Sequence, residues 1–453
     1  MHDLRRRALE SNKTVSRKAR SKQSSPATSR LASPASSSRA ASRSRGHSRQ
    51  GSDDEENGEY SDETSFSVGS IDEVLNGDGA DKIPDAWQAE LADRIEEILA
   101  RKGSTLLGRE KCYKTYVHLL TAQYVEGEIR GKEAELVVAF LKSIKDEKSE
   151  KETILALKAL AMTLITSPSD IIYETASTPL KRAISHSTSS ATKTAAIHTL
   201  GACTFWGGAS DDEILENMDF LLEIISSDGH TIDAPDEPKP VTAALEEWGF
   251  LATLIDDLST QSEDAVETFA EQINSSYPNV QIAAGENIAL LYEKSFKSID
   301  PDEDSPADYA DSDLIADPDD GSEKPKLIRL YPAYRRTDQL IHSLQSVASI
   351  STHHLSKTDR KALRTNFSDI LNSVEYPTRG PRYQNAISDE TGKRYGSRMV
   401  VKIQKGGVMR IDKWWKLHRL QCLKRVLQSG FVGHYERNEV VFETLPIMIT
   451  SDR

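Results

Sequence analysis

From Pro84 onward the apolar positions recur at helical spacing. Trp87, Leu91, Ile95 and Ile98 share one face, Pro84 suits a first turn, where a missing N–H costs nothing, and Gly103 suits the C-terminal cap. The same period predicts helices over 107–124 (Tyr113, Tyr116, Val117, Leu120, Tyr124), 132–145 (Leu136, Val137, Phe140, Leu141, Ile144) and 151–165. No convincing strand alternation lies between them, so the body is expected to be all-α. Three segments look alike: Leu155 to Leu160, Ala195 to Leu200 and Ala283 to Leu290. Leu160 to Leu200 is one step of 40 residues and Phe250 to Leu290 is another, the period of HEAT and armadillo repeats. The predicted fold is therefore an armadillo/HEAT-like α-solenoid, in which each repeat buries its apolar face only by stacking on the next. Gly285 sits inside such a helix, where glycine costs about 1 kcal/mol relative to alanine. It is read as a close-approach site between neighbouring repeats.

The pattern breaks at both ends and once in the middle. Residues 1–80 carry only scattered apolar side chains such as Leu4, Leu31 and Phe66, too few to offset the entropy of ordering, and are expected to be a disordered tail. Repeats fill 81–299, an acidic disordered insertion fills 300–324, and helices continue over 325–376 (337–350 and 357–374). A small basic C-terminal domain occupies 377–453. In it, Met399 to Ile403 and Val408 to Ile411 flank Lys405-Gly406-Gly407, a weak hairpin signal. Asp412 can then cap a helix running to Gly430.

Charge sharpens this division. The net of -14 hides an alternation: residues 1–50 hold 13 basic and 2 acidic side chains, and 51–81 hold 11 acidic and none basic. The body, 82–323, holds 20 basic and 47 acidic, whereas 324–437 holds 23 basic and 8 acidic. An anionic partner such as RNA would thus meet the C-terminal part. Serines that follow arginines, precede prolines or precede acids make Ser25, Ser33, Ser42, Ser52 and Ser61 phosphorylation candidates. The longest apolar runs fall short of a spanning helix, so no membrane is expected. Cys112, Cys203 and Cys422 are too few and too far apart for a disulfide framework or a zinc site.

A catalytic constellation is not found. The sequence contains no GxGxxG after a strand, no P-loop, no GxSxG, no HExxH and no CxxC. His353-His354 reads as polar surface rather than a metal pair, and His198 as a core or groove histidine. The pairs Glu246-Glu247 and Asp256-Asp257 read as a solvated face in a chain with 71 acids. Trp414 reads as core and Trp415 as the freer stacking candidate. The candidates for RNA contact are Lys402, Lys405, Arg410, Lys413, Trp415, Lys416, Arg419, Lys424 and Arg425. The rival account of these cations is that the basic helix docks against the acidic body and neutralises it.

A family resemblance enters at these residues. The segment Ile282 to Glu293 resembles the signature helix of the interferon-related developmental regulator family. Ile411-Asp412, Trp414, His418, Val426-Leu427, Ser429-Gly430, His434, Asn438-Glu439 and Phe442 resemble, in order and spacing, that family's short C-terminal domain, and Ser70-Ile71-Asp72 fits the stretch before the first helix. The resemblance covers about residues 66–450. It implies an armadillo-type fold without enzymatic activity or cofactor, in a family described both as transcriptional co-regulators acting with histone deacetylase complexes and as factors occupying inactive ribosomes. In the animal pattern a further basic helical tail, of the kind that plugging the mRNA channel would need, follows the C-terminal domain, whereas this sequence stops at Arg453, soon after Pro446.

The function expected is non-enzymatic: a chain monomeric alone, binding ribosomes or ribonucleoprotein through the basic part between Lys324 and Arg437, regulating translation, and cytoplasmic with a nuclear fraction. Protein partners would meet the helical-repeat surface. The alternative is a nuclear transcriptional adaptor whose acidic solenoid groove holds basic segments of deacetylase or chromatin complexes.

Overall fold

The computed structural model describes residues 86–298, 314–316, 325–349, 355–387, 392–402, 407–446 and 450–451, less 102 and 393. The tail serines, Lys405 and the pair His353-His354 lie outside the described residues. Residues 80–453 form one compact unit.

Helices dominate it and come in pairs. They are α1 Ala86–Ala100, α2 Leu106–Ala122, the single turn α3 Glu126–Ile129, α4 Glu133–Asp146, α5 Glu150–Thr166, α6 Ile172–His186, α7 Ser190–Trp206, α8 Asp211–Ser226, α9 Pro238–Ala252, α10 Ser262–Gln272, α11 Pro278–Lys294, α12 Thr337–Ala348 and α13 Lys357–Glu375. Local chemistry sets their starts. Ser149 and Ser189 accept the first-turn N–H groups of Glu152 and Thr192, Ser210 and Glu213 close a capping box, and α9 and α11 begin on proline.

Two layers result. Helices α1, α4, α6, α8, α10 and α12 make the first, and α2, α5, α7, α9, α11 and α13 the second; each helix packs on its pair-mate, the second layer is continuous from α2 to α13, and in the first layer α1 packs on α4, α4 on α6 and α8 on α10. This is the predicted solenoid. Leu160, Leu200, Phe250 and Leu290, the markers of the 40-residue step, lie on α5, α7, α9 and α11 and are fully buried. Burial on nearly every side explains why those four helices are apolar around much of their circumference. Gly285 is a close-approach site as predicted: a Cβ there would stand 2.6 Å from Ile370 Cδ1 on α13. Gly201 on α7 plays the same part towards α9, where a Cβ would stand 1.9 Å from Glu247 Oε2.

Short strands interrupt the helices. β1 Phe296–Ser298, β3 Pro325–Arg329 and β2 Leu314–Ala316 form an antiparallel sheet in the order β1-β3-β2. Part of the acidic run 300–324 is therefore a strand, and the helices expected from 325 resume only at Thr337. β4 Tyr383–Ile387 pairs with β5 Arg394–Ser397. The expected hairpin is present as β6 Val400–Lys402 against β7 Gly407–Arg410, with β8 Thr450–Ser451 on the far edge of β7.

The end of the chain is helical again: α14 Trp414–Leu427, α15 Phe431–Arg437 and α16 Glu439–Thr444. Asp412 does not cap α14. Lys413 holds the cap position, and Asp412 instead takes the ammonium of Lys416 at 2.6 Å. The helix stops at Leu427, short of Gly430, because Gln428 turns to φ 47° before a single 3-10 turn. From α14 the segment retraces the second layer. Trp414 and Gln421 meet α11, Arg425 meets α9, His434 Nε2 meets the Leu120 carbonyl of α2 at 2.8 Å, and Asn438 Nδ2 donates to the Ile165 carbonyl of α5 at 2.8 Å. Residues 414–438 are thus laid along the second layer of the solenoid.

Candidate functional site

The second-layer face of α9 and α11 presents four carboxylates, Glu246, Glu247, Glu286 and Glu293, and α14 lies across them. Arg425 donates from Nη1 to Glu246 Oε2 at 2.8 Å and from Nη2 to Glu247 Oε1. Glu247 has no exposed side-chain surface, and its Oε1 also meets His198 Nδ1 at 2.8 Å. A charge this deep persists only when paired. Burial opposes the Arg425 charge, but the Glu247 and Glu246 carboxylates outweigh it and hold the guanidinium above its ordinary pKa. The solvated-face reading thus holds for the exposed Asp256 and Asp257 and fails for Glu247.

Further along, Gln421 Nε2 donates to Glu286 Oε2 at 3.1 Å. Burial pushes Glu286 up to about 7, with Gln421 working against the rise. Burial also raises Glu293, despite the Lys413 charge and two backbone N–H donors. His418, buried in the same seam, is drawn down to about 4 by burial and is neutral. Arg419 is drawn down to about 10 by burial. Its guanidinium donates to Thr253 Oγ1 at 2.9 Å, to the Thr253 carbonyl at 3.1 Å and to the Thr444 carbonyl at 3.0 Å.

The nine RNA-contact candidates therefore separate. Arg419 and Arg425 are half-buried and bonded to the chain itself, which is the rival docking account realised at those two positions. Trp414, read as core, is buried, and its Nε1 donates to Ser373 Oγ at 2.8 Å. Trp415 is half-buried, with Lys416 and Arg419 lying 5.6 and 5.1 Å from its ring. Lys413 and Lys416 are half-buried, and Arg410 and Lys424 are exposed. The side chains of Lys402 and Lys405 lie outside the described residues.

Sequence reading missed a second group. Arg379 lies 3.8 Å from the Tyr376 ring and 5.4 Å from that of Tyr383, and Arg398 lies 4.9 Å from that of Tyr395. Arg398 is exposed, and among the described residues no carboxylate stands at ion-pair distance from Arg398 or Arg410. The signal was there in the alternation of Arg and Tyr over 376–398. Among the described residues no cluster of His, Cys, Asp and Glu could hold a metal, and no helix is long and apolar enough to cross a membrane.

Paired helices in two layers, tied lengthwise by their own C-terminal segment, define a helical-repeat scaffold. The model of the interferon-related developmental regulator family matches residues 52–375, and the chain belongs to that family. It is 26% identical over 392 residues to an uncharacterised protein of Schizosaccharomyces pombe, covering 84% of this chain and 81% of that one. To human interferon-related developmental regulator 1 it is 24% identical over 405 residues, covering 85% of this chain and 77% of the relative. Mouse interferon-related developmental regulator 2 matches at 25% over 212 residues, 46% of this chain and 37% of that one.

Proposed function

We propose that this regulator-family chain is a non-enzymatic scaffold that binds ribosomes or another ribonucleoprotein through exposed cations of its basic part and so regulates translation in the cytoplasm. The observation that carries the reading is the fate of the positive charge. Arg419 and Arg425 are taken up by the solenoid, but Arg398, Arg410 and Lys424 remain exposed on a chain whose 82–323 body is strongly acidic. Such cations release counterions from a phosphate backbone, whereas the body is repelled by it and keeps the contact one-sided.

The alternative, a nuclear adaptor gripping basic segments in an acidic groove, needs open carboxylates. Glu246, Glu247, Glu286 and Glu293 are instead covered by α14, which favours the first reading. Sedimentation of lysate through sucrose at low and raised salt, with a nuclear fraction in parallel, tests it. The chain is expected with ribosomes at low salt and released as salt rises; a chain absent from ribosomes at every salt and recovered with chromatin overturns the reading.

A further inference from the structure

Between the end of α11, the β1–β3 pair and the turn after α13 lies an open cleft of about 290 Å³, close to the lower end of small-ligand sites. Its walls are aromatic: Tyr292, Phe296, Tyr331, Tyr334 and Tyr376. Packing fixes most of them. Tyr292, Tyr331 and Tyr334 are buried, and the Tyr292 hydroxyl shares a hydrogen bond with Thr337 Oγ1 at 2.9 Å. Tyr376 is 36% exposed and stands where a ligand would arrive.

An aromatic box of this kind takes either a cation or a flat base, and the charges already present decide between them. The Arg379 guanidinium lies 3.8 Å from the Tyr376 ring, and that of Arg329 lies 5.5 Å from the Phe296 ring. Arg336 lies 5.6 Å from the Tyr334 ring, so three rings are already engaged by cations, against one exposed carboxylate in the lining, Glu375. A further cation would be repelled. A neutral planar ring joined to an anionic backbone fits both the walls and the charge.

The turn that carries Tyr376 leads straight into a basic arm. Residues 379–413 hold nine basic and three acidic side chains. The arm's strands bring its cations together: the Arg398 N–H donates to the Arg382 carbonyl at 3.1 Å, and Val400 pairs with Arg410 on β7. The β4–β5 ribbon exposes Ile387 and Tyr395, and a two-stranded ribbon alone in water is marginal, so contact with a partner would stabilise it.

We propose that the cleft binds an unpaired nucleotide of RNA, its base stacked against Tyr376 and its flanking phosphates held by Arg329 on one side and by Arg398 and Arg410 of the arm on the other. This rests on the ribonucleoprotein reading and states which feature of the RNA is recognised. The test titrates the full chain, by fluorescence anisotropy at low salt, with labelled oligoadenylate and with an abasic phosphodiester oligomer of equal length. The abasic oligomer is expected to bind roughly 5- to 100-fold more weakly, the range that one stacked base supplies. Tyr376→Ala should lose the same preference, Tyr376→Trp should keep it, and both should melt with the wild type. Arg398→Glu with Arg410→Glu should weaken both oligomers and lower the salt slope by about one for each phosphate that is no longer neutralised.

Equal binding of the two oligomers, or an unaltered base preference in folded Tyr376→Ala, overturns the proposal. Ribosome sedimentation of the same variants keeps the two claims apart. A base preference without ribosome binding sustains the cleft and removes the ribosomal reading, and ribosome binding without a base preference removes the cleft alone.

Discussion

The carboxylate of Glu293 accepts the backbone N–H of Trp414 at 2.8 Å and that of Trp415 at 3.2 Å, so a repeat helix caps the C-terminal helix from 121 residues away. Two N–H groups of the first turn of α14 gain an acceptor, and negative charge there suits the helix dipole. Glu293→Ala is expected to cost about 1–2 kcal/mol, as loss of an N-cap does. Glu293→Gln, which retains an acceptor oxygen, should cost less. Urea unfolding measures both, and equal stability of Glu293→Ala and the wild type would refute the cap.

Arg425 and Lys424 are adjacent in sequence and opposite in fate. Arg425→Ala leaves Glu247 buried without its cation, and a loss of about 3–5 kcal/mol is expected. Lys424→Glu acts at an exposed position and should stay within about 0.5 kcal/mol. Thermal or urea unfolding of the two single variants decides it. Similar stabilities would mean that the Arg425 pair carries no folding energy.

Glu286 gives stability a pH dependence of predictable sign. Its carboxyl is pushed up from 4.5 to about 7 by burial, so the folded state keeps a proton that the unfolded chain releases. Its contribution to stability is complete below about 4.5 and is lost as pH rises through 7. His418 works the other way, because its depressed pKa of about 4 takes stability away as pH falls below 6.5. Between 4.5 and 6.5 the two oppose each other, so the effect of Glu286 is read by difference. The melting temperature of Glu286→Gln, relative to wild type, is expected to climb from pH 4.5 to 7 and then level off. A difference that does not change with pH would contradict the assignment.

Gly285 and Gly201 should respond unequally to alanine. At Gly285 the neighbour is the mobile end of Ile370, 2.6 Å from an added Cβ, so Gly285→Ala should be mild and Gly285→Leu should cost about 1–3 kcal/mol by overpacking. At Gly201 the Cβ would enter the carboxylate of Glu247 at 1.9 Å and displace an ion pair. Gly201→Ala is therefore expected to be the more costly of the two alanine changes, as calorimetry would register.

The repeats were legible because their signal is local. Leu160, Leu200, Phe250 and Leu290 keep a fixed period, and the helices predicted over 107–124, 132–145 and 151–165 match α2, α4 and α5 within a residue or two at each end. What α14 touches was not legible, since nothing near Trp414 in sequence announces Glu293, and nothing near Arg425 announces Glu247. The same distance hid the depth of Glu247, whose acidic neighbours suggest a wet surface. The strand at 314–316 was hidden for a related reason: its pairing partner β3 lies beyond an acidic stretch whose composition reads as loop. The Arg–Tyr turns around 376–398 carry a signal in their alternation, but a weaker one than the concentrated charge of the following helix.

A solenoid usually folds by propagation, each repeat needing only the one before it. The retracing C-terminal segment changes that order. Its bonds from Trp414 to Glu293, Arg425 to Glu247, His434 to Leu120 and Asn438 to Ile165 join residues that are translated far apart in time. On a synthesising ribosome the repeats emerge with their carboxylate row open, and the row closes only after residues 414–444 have cleared the exit tunnel. Until then the nascent chain exposes an acidic, partly apolar strip. A stop codon between Glu375 and Trp414 would fix the protein in that state, leaving all the repeats made and the strip unsealed along its length.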